Sequence, residues 1–424
     1  MKKDIVEGTP FTSYQKLLIG LLALLQFTVI LDFMVLSPLG DILMKSLDIT
    51  PAGFGWVVSS YAFSAGASGL LAAGFADKFD RKKLLLFFYT GFIIGTLCCA
   101  LANSYALLLA ARIVTGLFGG VIGAISLAVV TDIFEINQRG RVMGVVQMGF
   151  AASQVLGIPI GLYFANIWGW HAPFLMIVLL ALAIGLTVLF KMHPVTKHIA
   201  LQKDGNAFVH LWHALTNKRH RVGFMATAVL STGGFMLMPF GSAYLIDNIH
   251  ITQHQLPTVF LFGGLASIII MPFIGRLSDK YDKFYIFTGG SLLAIVMILI
   301  YTNLPPVPLW QIIIVNMIMF MGIMGRIIPS TTLTTAIPNM SDRGAFMSIN
   351  ASLQQMAGGI AAVCAGLIVT QPNKGGPLQH YDILGLVVSA AILLCIYLVY
   401  RVSVLVKSKP AEAPVNLSPA ENYD

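Results

Sequence analysis

Charged residues are scarce in this chain. Asp, Glu, Lys and Arg make up 10% of its 424 residues, whereas 57% are hydrophobic and the mean hydropathy is +0.82. A soluble domain has about a quarter of its residues charged, because its surface must face water. This composition excludes a soluble globular protein and indicates that most of the chain lies in lipid.

Several chemical motifs are absent as well. The four cysteines fall within apolar runs and lack the spacing of a disulfide framework or a metal site. The sequence has no Gly-Lys phosphate-binding loop and no nucleophile triad, which argues against ATP-driven transport and catalysis. Residues 1–13 are polar and the first apolar run lacks a small-residue cleavage site, so we expect no cleaved signal peptide. We predict a protein that is not an enzyme and carries no metal or other cofactor.

Long apolar runs fill most of the sequence. Each has roughly 20 residues or more, enough to cross about 30 Å of hydrocarbon. We count twelve and predict an all-α membrane protein whose transmembrane helices form two six-helix bundles. The runs lie approximately at 14–40, 53–74, 83–102, 105–134, 140–166, 170–191, 221–247, 255–275, 284–303, 308–337, 343–370 and 381–406.

A short charged segment occurs twice between these runs. Residues 73–82 read AGFADKFDRK, and residues 275–284 read GRLSDKYDKF. The tripeptide at 48–50, DIT, is matched at the same offset by HIT at 250–252. This internal repeat indicates two copies of one membrane unit, so the two bundles should be related by pseudo-symmetry.

The repeat divides the chain into four parts. We predict an N-terminal bundle at 1–191, a cytoplasmic linker at 192–220, a C-terminal bundle at 221–406 and a disordered tail at 407–424. Apolar residues with helical spacing favour an amphipathic helix on the membrane surface, although a linker without such a role fits equally well. Those linker residues are Phe208, Leu211, Trp212 and Leu215.

Lysine and arginine, 26 in all, concentrate on one side of the predicted spans. When both termini are placed in the cytoplasm, the exceptions are Lys45 and Lys374 in outer loops and Arg112 and Arg326 within spans. This positive-inside bias predicts a multi-pass inner-membrane protein with cytoplasmic termini. It also accounts for most of the net charge of +8, so we expect no nucleic-acid partner.

The repeated loop resembles the signature of the major facilitator superfamily, G-x-L-a-D-r-x-G-r-k, which follows the second helix of that family. The match covers residues 75–78, Arg81 and Lys82, while Ala73 and Asp80 stand where the family has glycine. Because Asp tolerates the left-handed conformation better than most residues, we expect it to preserve the turn at Asp80 and, in the second copy, at Asp282.

Two more segments resemble the same family. Residues 112–116, RIVTG, are similar to its R-x-x-x-G in helix four, and residues 154–161 are similar in shortened form to the Gly-Pro motif of proton-driven exporters. Close helix packing explains these glycines equally well. The resemblance implies a monomeric secondary transporter that works in the lipid bilayer by alternating access. Its expected ligands are protons and a small molecule, either neutral or anionic.

The charged loop is predicted to be a conformational latch. Asp77 would cap a helix of the opposite half, and Arg81 would pair with Asp132 at the inner end of helix four. We expect such contacts only when the inner face is closed, which would favour the outward-facing state. Lys82 and Asp279 complete the predicted latch, and a solvated anchor loop is the alternative.

Ionisable side chains within spans indicate a functional or structural role, because inserting each one into the membrane costs roughly 2.5–3.5 kcal/mol on insertion scales. Asp32 and Arg112 lie in the outer halves of helices one and four. We predict that Asp32 binds the transported proton, since movements around it would change its proton affinity. Asp32 and Arg112 could also form an ion pair. That pair could be part of the proton-binding mechanism, or it could have a purely structural role.

Arg326 has no acidic residue within the spans of its own half. The aspartates of that half, Asp247, Asp279, Asp282, Asp342 and Asp382, fall at helix ends or in loops. We hypothesise that Arg326 binds an anionic group of the substrate. An arginine that stabilises helix ten through Ser330, Asn350 or water is the alternative.

Further polar and adaptable apolar side chains occur within the spans. Asn316 aligns with Arg112 in the repeat, and several residues of helix seven could equally be plain packing. The predicted substrate-binding residues besides Arg326 are Asn316, Gln154, Asn350, Gln354, Met236, Phe240 and Tyr244.

The function that this resemblance favours is proton-coupled export of a small organic molecule, as in the drug/proton and sugar-efflux branch. The first alternative is proton-coupled import of an anionic metabolite or siderophore-like carboxylate, which the two arginines would suit. The second is a transporter-like sensor or assembly protein without flux.

Overall fold

A computed structural model describes residues 11–72, 75–196, 199, 207–339, 342–373 and 375–408. Most of the predicted disordered tail and residues 200–206 of the linker lie outside these ranges. The side chains of Asp77 and of residues 136–137 and 207–210 also lie outside the described part, so the predicted contacts of Asp77 and Phe208 do too.

In the described residues of the N-terminal half, all regular secondary structure is helical. A short helix, α2, follows the first span, and a π-helical turn at Ser153–Gly157 joins α6 to α7 in one span. The helices are α1 (Ser13–Val35), α2 (Gly40–Leu47), α3 (Pro51–Ala72), α4 (Arg81–Leu101), α5 (Tyr105–Ile133), α6 (Ile136–Ala152), α7 (Ile158–Trp168) and α8 (His171–Lys191).

The C-terminal half follows a short linker helix. Its first span continues beyond α10 through a 3₁₀ turn at Met238–Phe240, the short α11 and a π-helical turn at Tyr244–Asn248. The helices are α9 (Ala207–Thr216) in the linker, α10 (Lys218–Leu237), α11 (Gly241–Ala243), α12 (Leu256–Lys280), α13 (Lys283–Thr302), α14 (Leu309–Thr335), α15 (Arg343–Ile368) and α16 (Tyr381–Lys407).

Eleven segments of the described chain are long and apolar enough to cross a membrane. The remaining predicted span, α3, is also 22 residues long but contains serines at 59, 60, 64 and 68. It packs between α5 and α15, where small polar residues permit close contact with protein rather than lipid. The prediction of a twelve-helix, two-bundle membrane fold is confirmed.

The repeat is visible in the backbone. Asp48 and His250, which occupy matching positions, both adopt the left-handed conformation, with φ of 55° and 66°. The expectation of a left-handed turn at Asp80 and Asp282 is wrong, because their φ angles are negative, at −55° and −60°. Each instead caps the following helix, its carboxylate accepting a hydrogen bond from the backbone N–H two residues later, and capping needs an extended backbone.

The two halves meet where α3 packs on α15. A Cβ on Gly55 would lie 2.7 Å from the carbonyl oxygen of Ala362, and one on Gly366 would lie 2.8 Å from that of Pro51. The Ser59 hydroxyl crosses the same interface and donates a hydrogen bond of 2.7 Å to the carbonyl of Gly359. Small residues therefore bring these two backbones into direct contact.

We call the side where α1 begins and α16 ends the terminal face, and the other side the distal face. The halves are joined at the distal face by hydrogen bonds that we call the distal seal. Ser37 donates to the carbonyl of Met238, Lys45 to Asp247 at 2.9 Å, and Gln253 to Asp41 at 3.1 Å. The distal face is thus closed in this structure.

Candidate functional site

A buried ion pair lies in the N-terminal half. Arg112 Nη1 donates to Asp32 Oδ2 at 2.8 Å, and both side chains are 0% exposed. The same nitrogen is 3.4 Å from the carbonyl oxygen of Asp32, in α1. The pair that the sequence left open is therefore formed, between the distal part of α1 and the first turns of α5.

Three uncharged side chains surround this pair. Thr96 of α4 donates a hydrogen bond of 3.2 Å to Asp32 Oδ1, and the ring of Tyr61 lies 4.6 Å from the Arg112 guanidinium. The thiol of Cys99 is within reach of the same arginine. Sequence reasoning missed all three, because threonine, tyrosine and cysteine are common in spans and carry no charge to mark them.

The guanidinium of Arg112 is not saturated. Among the described residues, its Nε and Nη2 atoms are buried without a hydrogen-bond partner. The face of the Tyr61 ring supplies part of the missing stabilisation through a cation–π contact. The Asp32 carboxylate is thus held by one guanidinium nitrogen and one hydroxyl.

Arg326 lies in a different environment, inside the C-terminal half. It is 3% exposed, and the thiol of Cys395 in α16 lies near it. Its guanidinium approaches α10 at Gly233, where a Cβ would be 3.5 Å from Nη1. No described carboxylate forms an ion pair with it, and its Nε and Nη2 atoms have no described hydrogen-bond partner.

Of the other predicted polar residues, some are buried and some exposed. Asn316 is buried at the same step of α14 that Arg112 occupies in α5, because these helices begin at Leu309 and Tyr105. Gln154 is buried within the π-helical turn, and its Oε1 has no described hydrogen-bond partner. The Oδ1 atom of Asn350 is similarly unpaired, whereas Gln354 is exposed.

The predicted apolar wall of helix seven takes part in packing near the distal face. Phe240 contacts the ring of Phe54 in the other half, with centroids 6.0 Å apart. Tyr244 stacks on Tyr381 at 4.2 Å and donates a hydrogen bond to the carbonyl of Leu304. Met236 is 3% exposed. The structure does not bring these residues together with Arg326 through any described contact.

The predicted latch residues lie at the terminal face. Arg81 is buried and its Nε donates to Asp132 Oδ2 at 2.9 Å. Because both residues belong to one half, this ion pair forms without any contact between halves, contrary to the expectation that it requires a closed inner face. Lys82 donates to the carbonyl of Leu189, and the carboxylate of Asp279 is exposed.

The distal seal contains a charge cluster that sequence reasoning missed. Lys45 Nζ lies 2.5 Å from Asp41 Oδ1 and 2.9 Å from Asp247 Oδ1, across the boundary between halves. Partial burial lowers the pKa of Lys45, but its hydrogen bonds to the two aspartates raise it by more, so the lysine stays charged. One signal was present in the sequence, since Lys45 is an exception to the positive-inside bias.

Comparisons with known proteins agree with this architecture. The family model described as Major Facilitator Superfamily matches residues 22–362 and, again, 223–421. The uncharacterised MFS-type transporter YbcL of Bacillus subtilis is 27% identical over 83% of this chain and 88% of its own. The bicyclomycin resistance protein homolog of Haemophilus influenzae is 27% identical over 56% of this chain and 59% of its own.

Solved structures have the same fold at low sequence identity. The crystal structure of a D-xylose-proton symporter superposes with a TM-score of 0.74 at 14% identity, covering 90% of this chain and 97% of that one. At this identity the likeness concerns the fold alone.

Proposed function

The chain belongs to the Major Facilitator Superfamily, and we propose that it is a proton-coupled secondary transporter that exports a small organic molecule. Family and fold make it a multi-pass membrane transporter of small molecules. The proposal adds the coupling ion, the direction of transport and the residues that carry them.

The observation that carries the proposal is the Asp32–Arg112 pair. A carboxylate and a guanidinium, both fully buried, are expensive in a membrane and are found where a transporter moves charge. When Asp32 takes up a proton, the attraction to Arg112 is lost and the guanidinium is left with Tyr61 and Cys99 as neighbours. Protonation thereby changes the energy of the contact between α1 and α5, which is a way to couple it to helix movement.

Alternating access requires two exclusive closures of the molecule. The distal seal supports one of them, because it joins the halves away from the termini. With cytoplasmic termini in the inner membrane, as the Lys and Arg distribution favours, this conformation faces inward. We propose that the charged loops at the terminal face, with Asp77, Arg81, Lys82, Asp132 and Asp279, participate in the opposite closure.

We propose that the substrate binds between the two halves. The buried polar atoms that lack described partners, in Gln154 and Asn350, support this location because they are available to a ligand. Asn316, Gln354 and Met236 are further candidates, and so are Phe240 and Tyr244, which pack near the distal face. The name of the bicyclomycin resistance relative supports export of an organic compound.

Transport in proteoliposomes tests this function. An imposed proton gradient should drive accumulation of a radiolabelled substrate opposite to the proton, and Asp32→Asn should abolish this drive while leaving ligand binding measurable. Movement of substrate in the same direction as the proton would instead establish import, and binding without flux would establish a sensor.

A further inference from the structure

The two arginines within spans differ in how their charge is balanced. Each projects from the fourth span of its half towards the first span of that half. Arg112 of α5 meets Asp32 of α1, whereas Arg326 of α14 meets Gly233 of α10. The N-terminal half therefore contains a neutral pair, and the C-terminal half contains a cation facing a residue without a side chain.

Nothing in the described surroundings compensates Arg326. The Cys395 thiol, which lies near it, is a neutral group, and Ile392, which lies near the Cβ position of Gly233, is apolar. The aspartates of this half all lie at helix ends or in loops. An isolated buried charge is costly, so a group that neutralises it would be bound strongly.

The free part of the guanidinium has a defined shape. Nε and Nη2 are the two atoms without a described partner, and together they form one edge of the arginine fork. Two parallel N–H donors on one edge match the two oxygens of a carboxylate. Arg112 has the same edge free, but Asp32 already balances its charge.

Gly233 is the residue of α10 that faces this guanidinium. A Cβ at this position would be in van der Waals contact with it, 3.5 Å from Nη1 and 3.8 Å from Nη2 of Arg326, so a longer side chain here would lie against the charge. The next residue, Gly234, is exposed and has no described contact within 4 Å of its Cβ position. Gly233 alone therefore faces Arg326, whereas a side chain at Gly234 would not meet it.

We propose that Arg326 and Gly233 form a subsite for a carboxylate, in which the ligand supplies the counter-ion that Asp32 supplies in the other half. This proposal deepens the proposed function, since it makes the transported molecule a carboxylic acid in its ionised form. A neutral analogue of the same shape would leave the guanidinium unpaired and would bind more weakly by about 30-fold.

The test uses benzoate as a probe, because it is a small carboxylate with an apolar body. Purified protein in detergent is melted with increasing benzoate or with benzamide, its neutral counterpart. We expect benzoate to raise the melting temperature of the wild type in a saturable way, and benzamide to need about 30-fold higher concentration for the same shift. Arg326→Gln should remove the response to benzoate.

A second pair of variants keeps the test independent of the stability of Arg326→Gln. Gly233→Asp places a carboxylate at the proposed subsite, and Gly233→Asn places a neutral side chain of the same shape there. We expect the Asp variant to melt at a higher temperature than the Asn variant and to ignore benzoate. Gly234→Asp, one position along α10, should keep the response.

Three results would overturn the proposal. They are a wild type that benzoate does not stabilise, a response that survives Arg326→Gln, and a Gly233→Asp variant no more stable than Gly233→Asn. Because these measurements use no proton gradient, their failure would leave proton coupling at Asp32 standing. Conversely, loss of coupling would not alter carboxylate binding at Arg326.

Discussion

We propose that single charged residues carry the chemistry of this protein, and their charge makes them visible in the sequence. Asp32, Arg112 and Arg326 stand out in apolar spans because ionised groups are expensive there. The pairing of Asp32 with Arg112 is a matter of three-dimensional proximity, and so is the cover that Tyr61 and Thr96 provide. Hydroxyl and aromatic residues are ordinary in membrane helices, so no feature of the sequence distinguishes these two.

The energetic balance of the ion pair leads to a stability prediction. Asp32→Asn leaves Arg112 as an uncompensated buried cation, which should destabilise the protein by about 3 kcal/mol. Adding Arg112→Gln removes the unpaired charge, so the double variant should regain part of this loss. Thermal unfolding of the two single variants and the double variant measures the coupling. A double variant less stable than both single variants would contradict the neutral-pair account.

The positions and ends of individual helices can be predicted only partly from the sequence. Apolar length predicted the spans, and the spacing of 202 residues between the loops predicted the repeat. The expectation for the loops is wrong, because Asp80 and Asp282 act as helix caps and do not form a glycine-like turn. Glycine at these positions of the family signature suggests a turn. An aspartate side chain can instead accept hydrogen bonds from the backbone N–H groups in the first turn of a helix.

Packing of α5 on α3 gives a prediction at this scale. A Cβ on Gly120 would lie 2.6 Å from both the Cα and the carbonyl oxygen of Ala65, so Gly120→Ala must push two backbones apart. We expect a loss of about 1–3 kcal/mol in the free energy of unfolding. Gly144→Ala in α6 is the matched control, because no described atom lies within 4 Å of its Cβ position. Equal melting temperatures for both variants would refute the close contact.

The cap of α13 gives a prediction about pH. The hydrogen bond from Lys407 to Asp282, at 2.5 Å, holds the pKa of Asp282 below its usual value. Such a lowered pKa adds stability above the ordinary aspartate pKa of about 3.9 and loses it as the pH falls through the lowered value. Lys407→Met should therefore make the melting temperature fall less steeply than in the wild type on acidification below about pH 5. An unchanged slope would show that the bond contributes nothing.

At the scale of the whole molecule, the fold was predictable and the conformation was not. Hydropathy and the internal repeat specify two six-helix bundles. They do not specify which face is closed, because the same helices are present in both conformations. The distal seal depends on Asp41, Lys45 and Asp247, which come from different halves and have no common motif. The packing of Phe240 and Tyr244 near this face likewise depends on residues that are distant in the sequence and share no motif.

The central claim is that protonation of Asp32 controls which face is open, and distances between the halves test it without a known substrate. Spin labels at Lys78 and Lys280, exposed and equivalent in the repeat, report the terminal face, while labels at Asn103 and Asn303 report the distal face. Double electron–electron resonance is recorded at about pH 8 and about pH 5, in a background without the native cysteines.

We expect the wild-type distances to redistribute between the two pH values, in opposite senses at the two faces. The same experiment on Asp32→Asn should give one distribution at both pH values. Asp247→Asn serves as the control for titration within the distal seal, and its distances should still respond to pH. If Asp32→Asn responds to pH as the wild type does, proton coupling at Asp32 is contradicted.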